Sequence, residues 1–279
     1  MRDTQVASIL HDPSVRAAIP GLSLTVLRRG EITLVDAFGR RGSHDESPVD
    51  TDTVFEAASL TKPLVSSIAL QLAEEGKLDL AATLQSICGP YVHDDPRASG
   101  ITATHVLTHT SGLPNIVTAE TPLKTHFAPG ARFSYGSSAF AWLQRAVEKV
   151  SGQSLEELAR ERVFERLGMR NSSLHWQERF EANHARGHET DGTPVPKRRP
   201  AVAAASWSLV TTAQDYARFV QAVLRGDGLS EQMHALWLTP AVRATRGIAS
   251  WAIRARKTRW SGSPTRRAAC GRDGWCSPL

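Results

Sequence analysis

Leu60, Leu64, Ile68 and Leu72 recur at a spacing of four, with Val65 and Ala69 beside them, and the stripe predicts a buried helix. Gly76 stands where that helix should stop. Pro63 is tolerated only in a first helical turn, where its missing N–H has no partner to lose. The proline therefore places Ser59 at the helix start, with Lys62 one turn on and on the same face. Upstream, residues 21–27 and 31–38 are β-rich with partial alternation. Arg28-Arg29-Gly30 between them reads as a tight turn, which predicts an antiparallel hairpin. Residues 39–53 are polar and marked by Gly and Pro, a connecting loop.

Helical periods dominate the rest. Residues 101–114 predict a short helix running into a Gly/Pro turn, and residues 127–138 a loop ending at a Ser N-cap. Phe140, Leu143, Val147 and Val150 mark a helix closed by Gly152. Ser154-Leu155-Glu156-Glu157 is a capping box that opens another, stopped by Gly168. Residues 170–200 are long, polar and proline-bearing, a loop beside a cleft rather than core. Thr212-Ala213-Gln214-Asp215 opens a helix with Tyr216, Phe219, Val220 and Val223 that ends at Gly226, and residues 229–238 form one more. An isolated hairpin is not stable, so the first two strands need partners. The late candidate is residues 247–253. The fold class is α+β: an antiparallel sheet flanked by helices, with a helical subdomain. Residues 1–252 form one domain, its sheet part about 1–60 and 205–252 and its helical part about 61–204.

Composition changes this picture little. The chain has 279 residues, 41% hydrophobic and 22% charged, ordinary for a globular protein. No run approaches the roughly 18–20 apolar residues that span a bilayer, and residues 1–10 show no signal peptide, so as written the protein is expected in the cytoplasm. Three cysteines make neither a disulfide framework nor, at Cys270 and Cys276, a metal site with a second ligand pair. No cofactor is expected. The net charge of +5 is concentrated in residues 253–279, which carry seven basic side chains against Asp273 and leave the first 252 residues at −1. Nucleic-acid binding by the main domain is therefore not expected.

The candidate chemistry lies in Ser59 and Lys62. A serine at a helix start sits at the positive end of the dipole, and a neighbouring amine can take its proton once burial lowers the amine's pKa. Tyr135, on the glycine-flanked stretch Tyr135-Gly136-Ser137, is the best partner: a phenol beside an ammonium can serve as a general base.

Four stretches resemble the serine β-lactamase and penicillin-binding-protein superfamily, and most closely its class C and esterase branch. They are Ser59-Leu60-Thr61-Lys62, residues 107–114 (Leu-Thr-His-Thr-Ser-Gly-Leu-Pro), residues 129–137 ending in Tyr135-Gly136-Ser137, and residues 208–219. Their order and spacing also resemble the family's, over roughly residues 20–252. The resemblance implies a β-lactamase/transpeptidase-like fold and a serine hydrolase acting on a small-molecule ester, amide or β-lactam. Ser59 would be acylated, Lys62 would shuttle its proton, Tyr135 would act as base and then acid, and the Ser59 N–H would be half of an oxyanion hole. Ser137 stands where the family usually has an Asn that contacts substrate and lysine, and its hydroxyl is shorter. His109 corresponds to a structural histidine in a turn. The family's third motif, Lys-Thr-Gly or His-x-Gly on a late strand, is not found: Lys257-Thr258-Arg259 lacks the glycine, and Trp260-Ser261-Gly262 lacks the Lys or His. The chain is expected to depart from its family after about Ile253, as a truncation or a shifted reading frame would produce. The alternative is an inactive relative whose cleft serves as a binding surface.

Overall fold

The hairpin forms where the turn signal predicts it. In the computed structural model, which describes residues 3–43 and 45–241, strands β1 (Gly21–Arg28) and β2 (Glu31–Gly42) pair antiparallel, Leu22 opposite Phe38 and Arg28 opposite Glu31. Arg29 and Gly30 take φ values of 51° and 82°. Two successive positive φ angles make a turn whose twist matches the strands it joins. Strand β3 (Asp45–Pro48) adds to the far edge of β2, giving the order β1-β2-β3. This corrects the expectation of a plain loop over residues 39–53. Asp-Glu-Ser-Pro has no apolar alternation, and it is held by the edge of β2 rather than by its own pattern. Two short helices that the sequence did not suggest, α1 (Asp3–Leu10) and α2 (Pro13–Ala18), precede the hairpin.

A second antiparallel pair joins distant parts of the chain. Strand β4 (Phe55–Ala58) lies against β5 (Leu209–Thr211), Phe55 opposite Thr211 and Ala58 opposite Leu209. All three residues of β5 are buried. Residues 247–253, the expected late strand, and Cys270 and Cys276 lie outside the described residues.

Helix α3 (Thr61–Glu74) is the centre of the core. Leu64, Ile68 and Leu72 are fully buried, packed with Val65 and Ala69 among Phe140, Leu143 and Leu158. Leu60 is the exception to the predicted stripe. It occupies the N-cap, before the first helical residue, and is exposed. Gly76 follows the helix end at φ 70°, a left-handed conformation that only glycine takes without strain. Helices α4 (Leu84–Cys88) and α5 (Ala103–Leu107) and the long α6 (Ser138–Ser151) cover one side, and the Trp142 indole N–H of α6 donates to the Gly89 carbonyl at 3.1 Å. The Ser154 capping box opens α7 (Leu155–Ala159), which runs through a π turn at Arg160–Phe164 into α8 (Glu165–Leu167). Thr212 caps α9 (Ala213–Arg225) by accepting the Asp215 N–H, and α9 lies across β1 and β2. Helix α10 (Glu231–Leu238) ends the described chain.

The segment 170–200 is more deeply built in than its polarity suggests. Leu174, Phe180 and His184 are buried, and Ser173 bridges to Val210 of β5. Glu156 of α7 anchors it, accepting the Leu174 N–H and the Ser173 hydroxyl at 2.7 Å each.

Candidate active site

The chain leaves β4 through Ala58, whose φ of 46° lies in the left-handed region that a Cβ disfavours. Such a conformation is held only where neighbours impose it, and here the buried Thr61 does so. Its hydroxyl donates to the Ala58 carbonyl at 2.6 Å and accepts the Leu209 N–H of β5 at 2.9 Å. Thr61 therefore ties the turn before α3 to the strand beside it. Ser59, at the crest of this turn, is exposed, and its carbonyl accepts the Lys62 N–H at 3.1 Å.

Lys62 is buried, 4% exposed. Its Nζ donates to Ser59 Oγ at 3.1 Å and to the Ser206 carbonyl at 2.8 Å, and it lies 4.9 Å from the centroid of the Tyr135 ring. Burial lowers the Lys62 pKa below the ordinary lysine value, and the contacts with Tyr135 oppose that shift. The structure thus brings together Ser59, Lys62 and Tyr135, three residues that sequence reasoning paired. It adds the Ser206 carbonyl, a backbone group that no side-chain pattern advertises.

Tyr135 owes its place to His109. The two rings stack at 4.4 Å between centroids and 32° between planes. His109 Nδ1 accepts the Gly136 N–H at 3.2 Å, and the His109 carbonyl accepts the Ser134 N–H at 2.8 Å. An accepting Nδ1 puts the ring proton on Nε2 and leaves the imidazole neutral. Burial, and then the charge of Lys62, hold its pKa down to about 4. Gly136 is required at its position, because a Cβ there would come within 2.7 Å of the Leu113 carbonyl oxygen. The segment before Asn115 thus runs directly against the tyrosine loop.

Ser137 holds the N-cap position of α6, but its hydroxyl does not cap the helix. It donates to Asn115 Oδ1 at 2.7 Å. Sequence reasoning named Ser137 and missed Asn115, since 22 residues separate them. Tyr216 of α9 also borders the site, its hydroxyl donating to the Leu60 carbonyl at 3.2 Å, and burial pushes that phenol's pKa up. Trp207, beside Ser206, is partly exposed, and the Arg198 guanidinium lies 5.7 Å from its ring centroid. Among the described residues no group of three or more His, Cys, Asp or Glu side chains is placed to hold a metal ion.

An antiparallel sheet beside a helical body, with a serine and a buried lysine at the head of the helix between them, defines a protein of the β-lactamase/transpeptidase-like fold. The chain belongs to the beta-lactamase family, whose description matches residues 6–271. That match continues past the boundary at residue 252 drawn from composition. Penicillin-binding protein 4 of Amycolatopsis lactamdurans is 28% identical over an aligned length of 226, and the match covers 73% of this chain and 59% of that protein. The chain thus spans less than two thirds of this relative's length. Among solved structures, a class C beta-lactamase superposes with a TM-score of 0.70 at 22% identity, covering 84% of this chain and 68% of that one. The D-alanine carboxypeptidase AmpC of Burkholderia cenocepacia gives 0.68 at 24% identity, covering 84% and 66%. No helix among the described residues is long and apolar enough to cross a membrane.

Proposed function

We propose that the protein is a serine hydrolase that acts on a small-molecule ester, amide or β-lactam through an acyl-enzyme at Ser59. The observation that carries this reading is the contact of Lys62 Nζ with Ser59 Oγ at 3.1 Å, made by an amine whose burial favours its neutral form. In the first half-reaction Lys62, directly or through the Tyr135 hydroxyl, takes the proton of Ser59. The Oγ adds to the substrate carbonyl, and the Ser59 N–H at the head of α3 donates to the developing oxyanion. Collapse expels the alcohol or amine, which leaves with a proton from Tyr135. In the second half a water takes the place of the departing group, the same residues accept its proton and return it to Ser59 Oγ as the acyl–Oγ bond breaks, and the acyl group is released as an acid. His109, whose Nδ1 is taken by the Gly136 N–H and whose basicity burial lowers, is not used as a base in this scheme and serves to fix Tyr135.

Turnover of chromogenic acetate and butyrate esters, and of a chromogenic cephalosporin, tests the reading. The wild-type protein is expected to hydrolyse at least one of these substrates, and Ser59→Ala to abolish it. Equal turnover by the variant would end the proposal.

A further inference from the structure

We infer that Gln144 of α6 is a positioning residue for Lys62: its carboxamide clasps the turn that carries the Ser206 carbonyl, and through that carbonyl it aims the amine at Ser59. The inference rests on the hydrolase reading above. Residues 203–208 lead into β5 but belong to no strand or helix, and Ala205 and Ser208 within them are buried. Buried backbone groups need partners, and Gln144 supplies two. Its Oε1 accepts the Ala205 N–H at 3.0 Å, and its Nε2 donates to the Ala203 carbonyl at 3.0 Å. A backbone N–H can only donate and a carbonyl can only accept, so the carboxamide fits in one orientation. Nε2 also donates to Glu148 Oε1 at 3.1 Å, one turn along α6, and that oxygen accepts the Leu155 N–H of α7 at 2.9 Å.

The clasp reaches Lys62 through two peptide units. The Ala204–Ala205 unit is held at both ends, its N–H by Gln144 and its carbonyl by the Trp207 N–H at 3.2 Å and the Ser208 hydroxyl at 3.1 Å. The Ser206–Trp207 unit gives that N–H and turns its own carbonyl to Lys62 Nζ at 2.8 Å. Because a carbonyl only accepts, it takes one N–H of the amine whether the amine is charged or neutral. In the neutral form the lone pair is thereby turned away from Ser206, and Ser59 Oγ at 3.1 Å is the hydroxyl placed to meet it. Without the clasp the carbonyl loses its fixed bearing, and the lone pair loses its aim.

The test reads the rate constant at which a fluorophosphonate adds to Ser59 Oγ with loss of fluoride, followed by intact mass between about pH 6 and 10. Unfolded molecules take up no probe and so do not enter the rate constant. The titratable groups that face Lys62 are Tyr135 and His109. The wild-type rate is expected to rise with pH as Lys62 becomes neutral. A carbonyl holds an ammonium more strongly than a neutral amine, so loosening it favours the neutral form at lower pH. Gln144→Met and Gln144→Ala are each expected to lower the plateau rate about five- to tenfold, the worth of one hydrogen bond. Each should also move the midpoint of the rise toward acid by about half to one pH unit. Arg145→Ala removes the bonds that the next residue of α6 makes to the Pro90 and Cys88 carbonyls, and is expected to change neither quantity. An unchanged rate in both Gln144 variants, or a fall without the acid shift, would overturn the assignment while leaving the hydrolase reading intact. So would an equal shift in Arg145→Ala. If the wild-type protein gained no mass at Ser59, the hydrolase reading would fall and this proposal with it.

Discussion

Lys62 is asked to be both buried and close to three oxygen atoms, and the two demands pull its protonation in opposite directions. Burial disfavours the ammonium, and the Tyr135 hydroxyl partly restores it. Lys62→Ala and Tyr135→Phe are each expected to slow acylation of Ser59 by about 10²-fold or more, the usual worth of a positioned acid or base. The thermal midpoint of each variant, read alongside the rate, should show the protein still folded. The linkage follows from the lowered pKa: between that value and the unfolded value the unfolded chain binds more protons. The Lys62 contribution to stability therefore rises with pH across that window. Lys62→Met is expected to flatten this rise in denaturant titrations.

At the scale of elements, α3 shows how a spacing pattern can overrun its helix. Leu60 continues the four-residue stripe but precedes the first helical residue, and its side chain stays at the surface beside Ser59. Leu64→Ala is expected to cost about 2–5 kcal/mol, as for a fully buried leucine, and Leu60→Ala less than about 0.5 kcal/mol; urea unfolding separates them. Thr61 is the joint between α3 and β5. Thr61→Val leaves the Leu209 N–H and the Ala58 carbonyl without their partner, at a cost of about 1–3 kcal/mol, and should slow acylation by releasing the turn that carries Ser59. Thr61→Ser should keep both properties.

The segment 170–200 carries its own prediction. His184 is 2% exposed, and neither ring nitrogen has a hydrogen-bond partner among the described residues. Burial first, then Lys197, Arg199 and Arg186 against the opposing Glu181, hold its pKa down to about 4. A histidine neutral in the fold and ordinary in the unfolded chain contributes stability that is full above pH 6.5 and lost as the pH falls toward 4. The loss amounts to about 3 kcal/mol at 1.36 kcal/mol per unit. His184→Leu is expected to reduce that acid-side loss, measured as urea midpoints between pH 7 and 4.

For the molecule as a whole, what the sequence discloses and what it hides divide by distance along the chain. The β1–β2 hairpin, the body of α3, α6 with Gly152, the Ser154 capping box and α9 with Thr212 are legible because each is encoded within about fifteen residues. Pairing of β4 with β5 is not, since strands of four and three residues carry no period and their partnership spans some 150 positions. The same rule applies at the site. Ser59 and Lys62 are three residues apart and could be read together from helix geometry, and Tyr135 was reached through its loop chemistry and the family resemblance. Asn115, the Ser206 carbonyl and the Thr61 bridge become visible only when the turns fold over one another. His184 left no trace, because a buried histidine whose ring nitrogens make no hydrogen bond among the described residues follows no motif.

Intact-mass analysis after incubation with a fluorophosphonate tests the central claim most directly. The account predicts a single covalent adduct that maps to Ser59, forms more slowly in Lys62→Ala and Tyr135→Phe, and is absent in Ser59→Ala. Folded wild-type protein that gains no mass, or gains it at another residue, would contradict it.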